Sequence, residues 1–236
     1  MGRCLVAIAL VFAGLLGAVP QAPGWYDETH VAIAKAAGVP KWFNAAAADI
    51  AGGKIGRMEK YNHFVNNPRG TVVTPAMVLA QAERYDTYHP AGHLYGAIVT
   101  TVRQVKAARA AGRYAGIPLA YLMHYVGDLS MPLHNTVYNA FNREHHAAMD
   151  GIVNDEVLDQ VDAIQIHPIA IASEQDLARE VARIANISLR LGYLLEDESR
   201  LPTRRETYQQ LSHSASLLKA IWRYILTATA PDDHGG

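Results

Sequence analysis

Cysteine is nearly absent from this chain: among 236 residues there is one, Cys4. A disulfide framework is therefore excluded, and with it any metal site built on several thiolates. Charge is also sparse. Charged residues make up 18% of the chain, the formal net charge is −1, and no basic or acidic run marks a surface for a polyanion. Beyond Ala18 no apolar stretch approaches the roughly 20 residues that span a bilayer. Alternating strand patterns, heptads and internal repeats are missing as well. What remains is a chain that is 50% hydrophobic and long enough to form one globular domain with a real core.

The first segment reads as a targeting signal rather than as part of the fold. Arg3 gives a short positive region, Cys4 to Ala18 is almost purely apolar, and Ala22-Pro23-Gly24 offers the small residues that a signal peptidase requires. Residues 1–24 are expected to be removed, taking Cys4 with them and leaving a secreted or periplasmic domain over 25–236. An uncleaved anchor is the alternative, disfavoured by the length of the apolar run. With no disulfide, such a domain depends on core packing and on bound metal for its stability.

The remaining pattern is helical throughout. Residues 29–38 carry a Thr cap, apolar spacing and a terminal Gly, and Trp42 to Ala51 reads as a second, Ala-rich helix. A loop over Lys54 to Thr74 follows, then a helix from Thr74-Pro75 to about Tyr85 with Pro at its first position. Leu94 to Ala111 repeats Leu94, Ile98, Val102 and Val105 at helical spacing. Pro118 to Gly127 presents Leu119, Leu122, Met123 and Val126, and Glu144 to Leu158 forms the next helix. Two long helices close the chain. Over Ser173 to Glu198 the expected core stripe is Leu177, Val181, Ile184, Ile187, Leu191 and Leu194. Over Thr203 to Ala230 it is Leu211, Leu217, Leu218, Ile221 and Ile225. The expected fold class is all-α, a single-domain multi-helix bundle.

One stretch, HYVGDLSMPLHNTVYNAFNREHHAAMD from His124 to Asp150, concentrates the chemistry. His124 and Asp128 are four residues apart and share one helix face, and His146 and Asp150 repeat that geometry on the next helix. His134 lies between them, after Pro132. Imidazoles and carboxylates converging in this way suit a divalent metal such as zinc. His145 competes with His146, but four residues beyond it stands Met149, which offers no hard oxygen ligand. Upstream, Asp49 and the loop residue His63 are ambiguous alone. Trp25, if it becomes the N-terminus, could chelate a metal through its α-amino group and carbonyl, with His30 completing the site.

In these residues the chain resembles the zinc-dependent phospholipase C family and its relatives, the secreted single-strand-specific zinc nucleases. The resemblance rests on His124, Asp128 and His134 as His-x3-Asp-x5-His, on His146 and Asp150 after it, and on Asp49, His63, Trp25 and His30 before it. It covers residues 25–150 and leaves the C-terminal third without a motif. It implies an all-α enzyme with up to three zinc ions in a cleft. One ion would take Asp49, His63, His124 and Asp128. A second would take His134, His146 and Asp150, and a third Trp25, His30 and a shared Asp128. It also implies cleavage of phosphodiesters by a zinc-activated water, with Asp49 as general base.

The two branches divide the remaining features. Glu28 stands where phospholipases of this kind place a head-group contact, and the mature chain has no cysteine. The five-residue step from Trp25 to His30, and Asp at position 150, are nuclease-like. A Gly-Gly-Asn segment expected of the nucleases is replaced by Asn135 to Glu144, while Ile50 stands where a choline-specific lipase would have an aromatic. Glu28, Tyr61 and Phe64 are candidate substrate contacts, and Tyr26, Tyr138 and Phe141 could serve a lipid or a stacked base equally. The expected substrate is a phospholipid, with transient contact at a membrane surface; a nucleic-acid phosphodiester is the alternative. No protein partner is implied. A non-catalytic zinc-binding module is the third possibility, which a cysteine-free, carboxylate-rich cluster argues against.

Overall fold

The computed structural model describes residues 25–51 and 58–227. The expected signal segment and the last three residues of the expected final helix lie outside them. The described residues are mostly helical and contain no strand; one isolated parallel bridge joins Asn67 to Thr136. The α-helices are α1 (Asp27–Ala37), α2 (Ala47–Ala51), α3 (Pro75–Ala82), α4 (Leu94–Ala110), α5 (Gly116–Leu129), α6 (Ala140–Asp150), α7 (Asn154–Val157), α8 (Glu174–Asp197) and α9 (Arg204–Thr227). The expected all-α class holds.

Local chemistry sets several of the helix ends. Asp27 and Glu28 occupy the first turn of α1, and Gly38, at φ 72, closes it in the left-handed conformation that glycine adopts without strain. Thr74 Oγ1 accepts from Met77 N ahead of Pro75, opening α3. Ser173 and Asp176 cap α8 reciprocally. At α9, Glu206 N donates to Thr203 Oγ1 and Thr203 N donates to Glu206 Oε2.

Three departures from the sequence expectation are the largest. Trp42 to Ala51 is not one helix but a 3-10 turn, Trp42–Ala46, running into the short α2. The helix of His146 and Asp150 starts four residues early, because Asn139 caps it by accepting from Asn142 N, and it stops at Gly151. The loop over 54–74 contains a further 3-10 turn, Glu59–Asn62.

The core is one continuous apolar cluster. The apolar residues expected for α4, α5 and α9 are all buried. On α8 the stripe slips over its second half: Ile187 and Leu191 are only half-buried and Leu194 is 43% exposed, while Leu195 is fully buried. Eighteen residues make five whole turns at 3.6 residues per turn, so Leu195, not Leu194, lies in line with Leu177.

Central α5 packs against α4, α9 and the 42–46 turn, and α9 packs against α1. Ser214 on α9 donates to the Val126 carbonyl, fixing the two helices in register. The loop after Asn62 is held by its backbone: Val65 N donates to the His134 carbonyl at 2.8 Å. Beside it, Asn67 Nδ2 donates to Tyr95 Oη, which donates to Asn135 Oδ1, each at 2.8 Å. These bonds bring the loop of His63 alongside the turn of His134.

Candidate metal centre

Six elements contribute to one buried cluster. His30 comes from α1, Asp49 from α2, His63 from the end of the 59–62 turn, and His124 and Asp128 from α5. His134 ends the 3-10 turn Pro132–His134, and His146 and Asp150 come from α6. Seven of these side chains are nearly or wholly buried; Asp49 is the most accessible, at 19%.

Their ligand atoms fall into three groups that could each hold a metal ion: His63, His124 and Asp128; His30, Asp49 and His124; and His134, His146 and Asp150. The last matches the expected second set. The expected four-residue set is divided between the first two groups, because His30 stacks on His124 at 3.9 Å between ring centroids and so approaches Asp49 as well. Asp128 lies at the junction. Its Oδ2 is 2.9 Å from His63 Nδ1 and 3.3 Å from His124 Nε2; its Oδ1 is 3.4 Å from His30 Nε2 and 3.6 Å from His134 Nδ1. Gly127, next to it on α5, makes room for His30: a Cβ there would lie 2.3 Å from His30 Nδ1.

The far nitrogen of three of these rings is anchored. His124 Nδ1 donates to the Ala45 carbonyl at 3.1 Å, His63 Nε2 to Glu59 Oε1 at 2.6 Å, and His146 Nδ1 to Asn142 Oδ1 at 2.7 Å. A carbonyl or carboxylate oxygen only accepts, so each bond places a proton on the outer nitrogen and leaves the inward nitrogen to hold either a second proton or a metal ion. Those inward atoms face other acceptors: His124 Nε2 lies 3.2 Å from His63 Nδ1 and 3.3 Å from Asp49 Oδ1, and His146 Nε2 lies 3.1 Å from His134 Nε2 and 3.4 Å from Asp150 Oδ2. Lone pairs so disposed repel unless protons or a cation lie among them.

Further atoms lack a hydrogen-bond partner. Both nitrogens of His30, His134 Nδ1, Asp128 Oδ1 and both oxygens of Asp150 are buried without a hydrogen bond. A buried carboxylate without compensation costs several kcal/mol. Burial accordingly pushes the Asp150 carboxyl well above the ordinary carboxylate range, with Asp128 and Asp49 adding repulsion. Asp128 is held well below that range: burial opposes its charge, but His124 and His134 outweigh it. His63 is disfavoured as a cation by burial, yet its bonds to Asp128 and Glu59 push it up to about 9. Without metal, protons must supply the positive charge here. The donor set and its orphaned atoms fit divalent transition ions, which would replace those protons.

The remaining sequence candidates are placed as follows. Trp25 is fully buried at the entry to α1, where Tyr26 N donates to the Asp150 carbonyl, bringing this segment to the end of α6. His145 stays outside the groups with its ring on Phe141, 4.5 Å between centroids. Glu28 is exposed on the first turn of α1. Tyr61 and Phe64 are half-buried neighbours, 6.2 Å between centroids, and Tyr61 also meets the exposed Tyr88 edge-on at 5.2 Å.

Sequence reasoning missed Glu59, Asn142 and the Ala45 carbonyl, the three groups that orient the imidazoles. Glu59–His63 and Asn142–His146 are each four apart, the spacing that had singled out His124–Asp128, so both were open to discovery. A backbone carbonyl leaves no such trace.

No protein-family model and no curated protein matches this chain.

Proposed function

We propose that the chain is a secreted zinc-dependent hydrolase of phosphodiesters, phospholipase C-like in substrate. The observation that carries the reading is the convergence of imidazole lone pairs and buried carboxylates in three adjacent groups with anchored outer nitrogens. His63, His124 and Asp128 would hold one zinc, His134, His146 and Asp150 another, and His30, with Asp49 or the Trp25 backbone, a third. When bound, zinc acts as a Lewis acid toward phosphoryl oxygen and lowers the pKa of water toward about 7.

The chain's own residues supply the rest. Asp49 is the most accessible carboxylate of the set. Burial opposes its charge, but nearby His124 and His30 hold its carboxyl below the usual range, so it is ionised at neutral pH. It can therefore orient an attacking water and accept its proton. Glu59, Asn142 and the Ala45 carbonyl keep three rings from rotating, which preserves the site's geometry during turnover. Among the described residues no helix is long and apolar enough to cross a membrane, so contact with a lipid would be peripheral.

A single-strand nuclease is the second reading. It is favoured by Tyr61 and Tyr88, whose T-shaped pair beside the His63 loop could stack on a base. Zinc-reconstituted protein assayed against phosphatidylcholine and against single-stranded DNA tests both. Release of phosphocholine supports the first reading and nucleotide release the second. A fully metallated protein that cleaves neither would leave a zinc-binding module.

A further inference from the structure

The 42–46 turn, α2 and the start of α5 carry large apolar side chains that the core does not take. Phe43, Ile50, Tyr114 and Ile117 are each between 60 and 72% exposed. Contacts draw the set together: the turn and α2 both pack along α5. Lys41 Nζ lies 5.1 Å from the centre of the Tyr114 ring, and Phe43 meets Trp42 edge-on at 5.9 Å between centroids. Lys35 Nζ in turn lies 5.5 Å from the centre of the Trp42 ring. Neither lysine has an ion-pair partner among the described residues. Of the nearby carboxylates, Asp49 turns to His124 at 3.3 Å, and Asp86 lines the adjoining cavity together with Arg113. The face therefore combines apolar tips with unmatched positive charge. It also borders the metal centre. Ile50 follows Asp49, the most accessible member of that centre. Ile117 precedes His124 by seven residues, about two turns, and so shares its side of α5.

We propose that this face docks on an anionic lipid surface. Phe43, Ile50, Tyr114 and Ile117 enter the head-group boundary, and Lys35 and Lys41 meet lipid phosphates. The proposal rests on the phospholipid reading above and deepens it, because docking here brings the phosphodiester plane of a bilayer to Asp49. The aliphatic tips favour acyl chains over a nucleic acid: Ile50 and Ile117 have no ring for a base to stack on.

The test is flotation of the zinc-reconstituted full chain with vesicles of phosphatidylcholine, with and without phosphatidylserine. The expected result is binding to the mixed vesicles and weaker binding to phosphatidylcholine alone. The double variant Phe43→Ser/Ile117→Ser should bind at least about 10-fold more weakly, and Lys35→Glu/Lys41→Glu should lose the preference for phosphatidylserine. Val72→Ser is the control: Val72 is 70% exposed, but in the loop held on α8 through Val73 and Asn186, and its loss should leave binding unchanged. Hydrolysis of p-nitrophenyl phosphocholine, a water-soluble diester, separates this proposal from the reaction it rests on, and Phe43→Ser/Ile117→Ser should leave that hydrolysis at the wild-type rate. Vesicle binding without cleavage of the soluble diester would overturn the proposed reaction and still support the docking face. Cleavage without vesicle binding, or undiminished vesicle binding by Phe43→Ser/Ile117→Ser, would overturn the face. A double variant that loses single-stranded DNA while keeping its vesicle binding would overturn it in favour of a nuclease surface.

Discussion

His63 and Glu59 are joined by a 2.6 Å hydrogen bond whose consequence lies on the opposite side of the ring: with Nε2 committed to Glu59, Nδ1 is the nitrogen presented to Asp128, 2.9 Å away. Outer-sphere carboxylates of this kind set both the tautomer and the basicity of a ligating histidine. Glu59→Gln should therefore weaken zinc binding about 10- to 100-fold while leaving the helical circular dichroism unchanged. Competition with a fluorescent chelator measures it. An unaltered zinc affinity would mean that His63 is oriented by packing alone.

Gly127→Ala tests the packing beside the centre. Its Cβ would fall 2.3 Å from His30 Nδ1 and 2.6 Å from His30 Cε1, and His30 is fully buried. The ring must leave its stacked position on His124. A destabilisation of about 1–3 kcal/mol is expected from overpacking, with loss of one bound zinc. Thermal unfolding and metal analysis of the same sample report the two effects separately.

Asp49→Asn should separate catalysis from metal binding. The amide keeps one oxygen as a weak ligand but cannot take a proton, so turnover should fall about 10²- to 10⁴-fold with metal content little changed. Wild-type turnover in this variant would remove Asp49 from the role of base.

Acid sensitivity should have a component far from the centre. Arg200, hydrogen-bonded to Glu206 through both terminal nitrogens at 2.8 and 2.9 Å, outweighs partial burial and brings the Glu206 carboxyl down to about 2, helped by Thr203. A carboxyl depressed on folding contributes stability that is present above its unfolded pKa and lost as pH falls through the folded one. The contribution should fade between about 4.5 and 2. Thr203→Ala should cost about 1 kcal/mol at neutral pH. In Glu206→Gln, the fall of Tm over that acid interval should be shallower than in the wild type.

The helical class was legible because apolar residues recur at 3.6-residue spacing, and the burial of every expected core residue on α4, α5 and α9 follows from that period. At Leu194 the pattern loses phase: over a long helix a fixed three-and-four spacing drifts from the true period, and Leu195 takes the buried place. The eight His and Asp candidates were legible from i, i+4 spacing and from the resemblance, and the fold brings all eight into the three groups. What was not legible is how the groups overlap. His30 stacks on His124 because α1 crosses beside α5 at Gly127, a tertiary relation with no local sequence signal. The break of Trp42 to Ala51 into a 3-10 turn and a short helix belongs to the same class, since the Ala45 carbonyl it presents to His124 is a backbone group that any residue would carry.

The buried imidazoles and carboxylates are the proposed metal ligands. The most direct measurement is native mass spectrometry of the zinc-reconstituted chain, with Asp128→Asn beside the wild type. The expected result is more than one zinc ion retained by the wild type, up to three, and fewer in Asp128→Asn, because Asp128 lies at the junction of the groups. A wild-type chain that holds no zinc, or one ion that Asp128→Asn retains equally well, would contradict it.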